Sequence, residues 1–111
     1  MTRMVISRAA AALLRALLAT VADARYRIIL SEIVSIDWQS LTFVGERHRI
    51  ELRISGPDPE ALARLLTAGI SDREFEIPGQ IVADIGIEDG PDRLADGSIR
   101  LRLEALTIRE E

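Results

Sequence analysis

The sequence predicts an α+β domain, an antiparallel sheet of four to five strands with two helices packed on one face, in the order α-β-β-β-α-β-β. Three observations carry that expectation. Apolar residues recur at helical spacing over residues 7–22 and alternate with polar ones from residue 25 onward. The stretch Gly56-Pro57-Asp58-Pro59-Glu60 then opens a second helical pattern. Every link between strands is short enough for a hairpin or one helix, which favours antiparallel neighbours under a single helical layer.

The first helix is capped by Ser7, and Ala, Leu and Arg carry it to about Ala22. Ile6, Ala10, Leu13, Leu14, Leu17, Leu18 and Val21 form its core-facing stripe, with Arg8 and Arg15 opposite. Ala9, Ala12, Ala16 and Ala19 form a second line, where small side chains would let another backbone approach closely. Arg3, Arg8, the Ala/Leu run and Ala22-Asp23-Ala24 also imitate a secretory signal. Arg15 splits that run, and a membrane span needs about 18 uninterrupted apolar residues, so a helix of a globular domain is expected.

From Arg25 the phase alternates: Tyr26, Ile28, Leu30, Val34 and Ile36 on one face, Arg25, Arg27, Ser31 and Ser35 on the other. Glu32 breaks the apolar phase and Ile29 and Ile33 fall in the wrong one, which predicts either a bulge or burial on both sides there. Residues 37–40 read as a turn, 41–44 as a short strand, Gly45-Glu46 as a tight connection and 47–55 as a strand with His48, Ile50, Leu52 and Ile54 in phase. Asp58 caps the second helix, Pro59 suits its first position, Leu62, Leu65 and Leu66 face the core and Gly69 stops it. Residues 80–87 read as a strand with Ile81, Ala83, Ile85 and Ile87 in phase, 88–98 as an acidic loop, and the last strand starts at Ile99. A phase slip to Leu106 and Ile108 predicts a second bulge there.

At 111 residues, 48% hydrophobic and 29% charged, the chain fits one domain spanning 1–111, which on folding buries roughly two-thirds of the surface its unfolded chain exposes. With no cysteine it has no disulfide, thiolate nucleophile or Cys-based zinc site, and the cytoplasm is the expected compartment. Lysine is absent as well, which removes Schiff-base chemistry and the P-loop lysine. Asparagine shares lysine's A-rich codons and is also missing, so the 14 arginines reflect a GC-rich genome rather than selection for guanidinium groups. The net charge of -4 gives no global attraction to nucleic acid or anionic lipid. The distribution is uneven: residues 1–55 hold 8 arginines against 5 carboxylates, a net of +3, and residues 56–111 hold 6 against 13, a net of -7.

Chemistry-bearing residues are few. His48 is the one histidine and the one side chain that titrates near neutrality unperturbed; Glu32 and Asp84 are its conceivable partners as a general base. Tyr26, Trp38, Phe43 and His48 could border an apolar ligand pocket. Arg25, Arg27, Arg47, Arg49, Arg53, Arg100 and Arg102 project toward one sheet face, a surface that could bind phosphate or RNA. Against it stand the scarcity of aromatics for base stacking and Glu51, Glu74, Glu76 and Glu104, which can pair with the arginines across strands. Asp89, Asp92 and Asp96 lack calcium-loop spacing, so no metal site is assigned and no cofactor is implied. The expected function is a non-enzymatic interaction or assembly domain that self-associates or docks on a protein partner. The alternatives are a small-molecule or enzymatic domain with its pocket near His48, and nucleic-acid binding through the arginine face.

Overall fold

The computed structural model describes residues 6–110, so Arg3 of the signal-like segment lies outside it. Helix α1 (Arg8–Ala19) starts as the sequence dictates, with Ser7 Oγ accepting from the Ala10 amide at 3.1 Å. It stops three residues before the expected end, where the Thr20 hydroxyl donates back to the Leu17 carbonyl at 2.7 Å. Ala22–Arg27 then forms a 3-10 turn, so Arg25, Tyr26 and Arg27 are not strand residues. Arg27 donates to the Ser55 carbonyl at 2.8 Å and to that of Pro57, which ties this turn to the far end of the second strand.

Among the described residues the sheet has four strands: β1 (Ile28–Gln39), β2 (Val44–Ile54), β3 (Gln80–Arg93) and β4 (Ile99–Arg109), in the spatial order β1-β2-β4-β3 and antiparallel throughout. The observed order is therefore α-β-β-α-β-β. The separate strand expected at 41–44 is absent because β1 runs through the expected turn and residues 40–43 close a hairpin. There the Ser40 amide donates to the Phe43 carbonyl at 2.9 Å and the Phe43 amide to Ser40 Oγ at 3.1 Å. Gly45 is not a connection but a strand residue opposite Ile108, where an added Cβ would lie 1.9 Å from the Thr107 carbonyl oxygen.

Helix α2 (Pro59–Thr67) is capped by Asp58, whose Oδ1 accepts from the Ala61 amide at 3.3 Å, and Gly69 follows it with a left-handed φ of 60°. Leu62, Ala63 and Leu66 are buried, while Leu65, expected in that stripe, faces solvent.

The bulge expected near Glu32 lies between Leu30 and Glu32, and it inverts the phase beyond it. Ile33 and Ser35 consequently share the core face with Ile28 and Leu30, whereas Val34 and Ile36 point to the opposite face. The bulge expected late in β4 is not there. Ile99, Leu101, Leu103, Ala105 and Thr107 are buried without interruption, which leaves Leu106 and Ile108 on the other face. The irregularities sit in β3, between Val82 and Asp84, Ile87 and Asp89, and Asp89 and Asp92. They also let β3 run through most of the stretch expected to be an acidic loop, so the actual turn begins at Leu94.

Both helices cover one sheet face. Ala10, Leu13 and Leu17 of α1 and Leu62, Ala63 and Leu66 of α2 form a single core with Ile33, Ile50, Leu52, Ile54, Ile85 and the inward residues of β4. The chain measures 45 × 35 × 22 Å, and its short dimension fits one sheet plus one helical layer. Among the described residues nothing covers the second sheet face. Among the described residues no helix is long and apolar enough to cross a membrane.

Candidate interaction surface

Register places the uncovered face in five cross-strand rows. From one end they are Ile29–Arg53–Arg100–Asp92, Glu32–Glu51–Arg102–Asp89, Val34–Arg49–Glu104–Gly86, Ile36–Arg47–Leu106–Asp84 and Trp38–Gly45–Ile108–Ile81. Charged residues run through the first four rows, while apolar ones line β1 from Val34 to Trp38 and fill the last row around Gly45. Arg47 pairs with Glu104 at 3.0 Å, Arg49 with Glu88 at 3.2 Å, Arg100 with Asp92 at 3.2 Å and Arg102 with Glu51 at 2.9 Å. The Glu51 hydrogen bond holds the Arg102 guanidinium more firmly protonated than usual.

This ladder revises the expected basic surface. Arg25 and Arg27 belong to the 3-10 turn, and the five arginines that do reach the face meet seven carboxylates: Glu32, Glu51, Asp84, Glu88, Asp89, Asp92 and Glu104. The face therefore carries more carboxylates than guanidinium groups. Glu74 and Glu76, expected as cross-strand partners, instead line an open groove of about 680 Å³ before β3.

His48 lies on the other side of the sheet, fully buried on the core face of β2. Its Nδ1 is 2.7 Å from Ser35 Oγ on β1 and its Nε2 is 2.8 Å from Thr107 Oγ1 on β4. Burial pushes the imidazole below its usual value against an opposing pull from Glu46, so the ring is neutral, donating from one nitrogen and accepting at the other. Both nitrogens are therefore occupied. Glu32 lies on the opposite face, across from Glu51, and Asp84 is an exposed residue of β3, so neither joins His48.

The four residues expected around a pocket are likewise dispersed. Tyr26 stands 83% exposed on the 3-10 turn, Phe43 is 52% exposed in the hairpin, Trp38 is half-buried on the uncovered face, and His48 is beneath the sheet. The alanine line of α1 is mostly occupied too: Ala9 is buried and Ala12 and Ala16 pack on the core, which leaves Ala19 exposed. Asp89 and Asp92 lie in β3, while Asp96 accepts from the Ser98 hydroxyl at 2.6 Å and amide at 2.9 Å, which holds its carboxyl below the usual range. No group of three metal-ligating side chains occurs among the described residues.

No protein-family model, curated protein or solved structure matches this chain.

Two features escaped sequence reading. Ser35 and Thr107 gave no signal as partners of His48, since cross-strand register is needed to pair positions 13 and 59 residues apart. The apolar end of the uncovered face was hidden by the bulge, which moves Val34 and Ile36 onto it beside Trp38, Leu106, Ile108 and Ile81. Ile36, at 63% exposure, is the most prominent of these, and a depression of about 100 Å³ is lined by Ile36, Val34, Arg47, His48, Arg49 and Glu104.

Proposed function

We propose that this chain is a non-enzymatic assembly domain of the cytoplasm that self-associates, and that it does so through the uncovered sheet face and the β1 side rather than through α1. One observation carries the reading: Val34, Ile36 and Trp38 along β1 and Ile108 and Ile81 at the same end, with Leu106 beyond Arg47, gather apolar side chains on a sheet face that bears no second layer among the described residues. Contiguous exposed apolar surface of this kind marks interaction sites, whereas scattered single residues do not. The occupied ring nitrogens of His48 and the dispersal of Tyr26, Trp38 and Phe43 favour binding over catalysis. The excess of carboxylates over arginines on the same face disfavours a nucleic acid as the partner.

Sedimentation equilibrium tests this directly. A concentration-dependent dimer is expected, weakened by Ile36→Asp and unaffected by Ala19→Asp on α1. A monomer at high micromolar concentration would refute the self-association.

A further inference from the structure

The two edges of the sheet are built differently. β3 carries Pro91 and three register irregularities, the devices by which natural sheets deter strand addition. β1 has neither beyond Ser31: residues 32–39 pair with β2 without interruption, and among the described residues nothing pairs with their outer side. The hairpin fixes which backbone groups are free there. The Ser40 amide bonds the Phe43 carbonyl, so in an antiparallel ladder the even residues 38, 36 and 34 bond inward to β2, and 33, 35, 37 and 39 present their N–H and C=O groups outward. Unmet backbone groups of this kind take an extended strand.

We infer that the strand is β1 of a second copy, paired antiparallel about a two-fold axis at Ile36, so that two chains form one continuous eight-stranded sheet. The inference rests on the assembly reading above and names its geometry. The polarity of β1 is self-complementary in one register. Centred on Ile36, the pairing sets Ile36 against Ile36 and Val34 against Trp38 on the uncovered face, with Ser35 against Asp37 on the other. Centring on Val34 sets Glu32 against Ile36, on Ser35 sets Glu32 against Trp38, and on Asp37 opposes two aspartates. Like charges or unmatched carboxylates in such positions are destabilising. Centring on Trp38 runs the pairing past the strand's end at Gln39. Of these registers, only the axis at Ile36 keeps the strands paired over 33–39 with no carboxylate facing an apolar side chain or another carboxylate, and it unites the apolar areas of both copies across the joint. Contacts of Ile36 with Ile36 and of Val34 with Trp38 across the joint add side-chain burial to the paired backbones.

Two variants test the geometry. The chain has no cysteine, so Ile36→Cys introduces a single thiol. At the axis it meets its twin in a non-hydrogen-bonded pair with Cα atoms about 4.5 Å apart, within disulfide range. Mild oxidation should convert most of that variant to a covalent dimer, whereas Leu65→Cys, on the exposed side of α2, should remain largely monomeric on a denaturing gel. Asp37→Pro removes an outward N–H that β2 does not use, and should weaken dimerisation at least about tenfold with the circular dichroism spectrum preserved. A native dimer that Asp37→Pro leaves intact, with the Ile36→Cys variant linking no faster than Leu65→Cys, overturns the edge geometry while self-association stands. A monomeric wild-type chain, with no covalent dimer from Ile36→Cys, overturns both, and the edge then belongs to a strand of another protein.

Discussion

Replacing Thr107 with valine tests how much of the fold rests on the buried hydroxyl–imidazole–hydroxyl chain. The two side chains have nearly the same volume, so little cavity contribution enters, and the change reduces to the loss of one partner. His48 Nε2 then has no acceptor or donor at the 2.8 Å position that Thr107 Oγ1 occupied, and both residues are fully buried. Leaving a buried polar atom unsatisfied costs about 1–3 kcal/mol, more than the net worth of a typical hydrogen bond. For a domain with a urea slope of about 1–3 kcal/mol/M, the unfolding midpoint should fall by about 1 M. The double variant His48→Leu/Thr107→Val removes both ends and should recover part of the loss, giving a non-additive cycle. A Thr107→Val midpoint within error of the wild type would show that the contact contributes nothing and that the register argument built on it is wrong.

The remaining expectations concern pH, packing and the surface charges. Because burial depresses the His48 pKa, the unfolded chain takes its proton first as pH falls through the ordinary value of 6.5, so stability declines below that point, by at most about 1.4 kcal/mol per pH unit from this group. His48→Leu should flatten that slope in urea melts between pH 6.5 and the carboxylate range; an unchanged slope would assign it to other groups. Gly45→Ala drives a Cβ to 1.9 Å from a backbone oxygen and should lower stability by about 1–3 kcal/mol or more, read as a drop in thermal midpoint, with an unchanged midpoint refuting the close approach. Leu103→Ala should cost about 2–5 kcal/mol because its site is fully enclosed, whereas Arg47→Ala should cost less than about 1 kcal/mol. Arg47 and Glu104 are 45% and 41% exposed, and a larger loss would mean that the charge ladder acts as a coupled network.

The fold class and the helix starts were legible because local chemistry decides them: Ser7 and Asp58 cap, and Gly69 adopts the left-handed backbone that ends a helix. What local chemistry does not decide was misread. Gly45 looks like a turn residue in sequence, and only the approach of Thr107 from β4 explains it as a strand residue. Leu106 and Ile108 look like a slipped core phase, yet they are outward residues of a regular strand whose neighbour β3 carries the irregularities. The alanine line of α1 was legible as a face, but nothing in its spacing says whether the neighbour is another copy or the chain's own sheet. Register is long-range information in each case.

That register has an identifiable cause, and the cause links the core to the proposed surface. Without the bulge at Ser31, strict alternation after Leu30 would bury Glu32, Val34 and Ile36 and turn Ile33 and Ser35 outward. Glu32 would then be an unpaired carboxylate in an apolar core, and His48 would face Val34 or Ile36 with Nδ1 unsatisfied, two penalties of the kind that exclude alternative packings. The extra residue removes both: Glu32 leaves the core, and Ser35 arrives opposite His48 at 2.7 Å while Thr107 holds the other nitrogen. One imidazole thus locks three strands in a single alignment. The necessary consequence is that Val34 and Ile36, apolar enough for any core, are delivered to the uncovered face beside Trp38, on the one sheet edge without Pro or further bulges. The apolar strip is therefore a product of the register that satisfies His48, and a second β1 paired at this edge, as inferred above, would extend the strip with matching polarity.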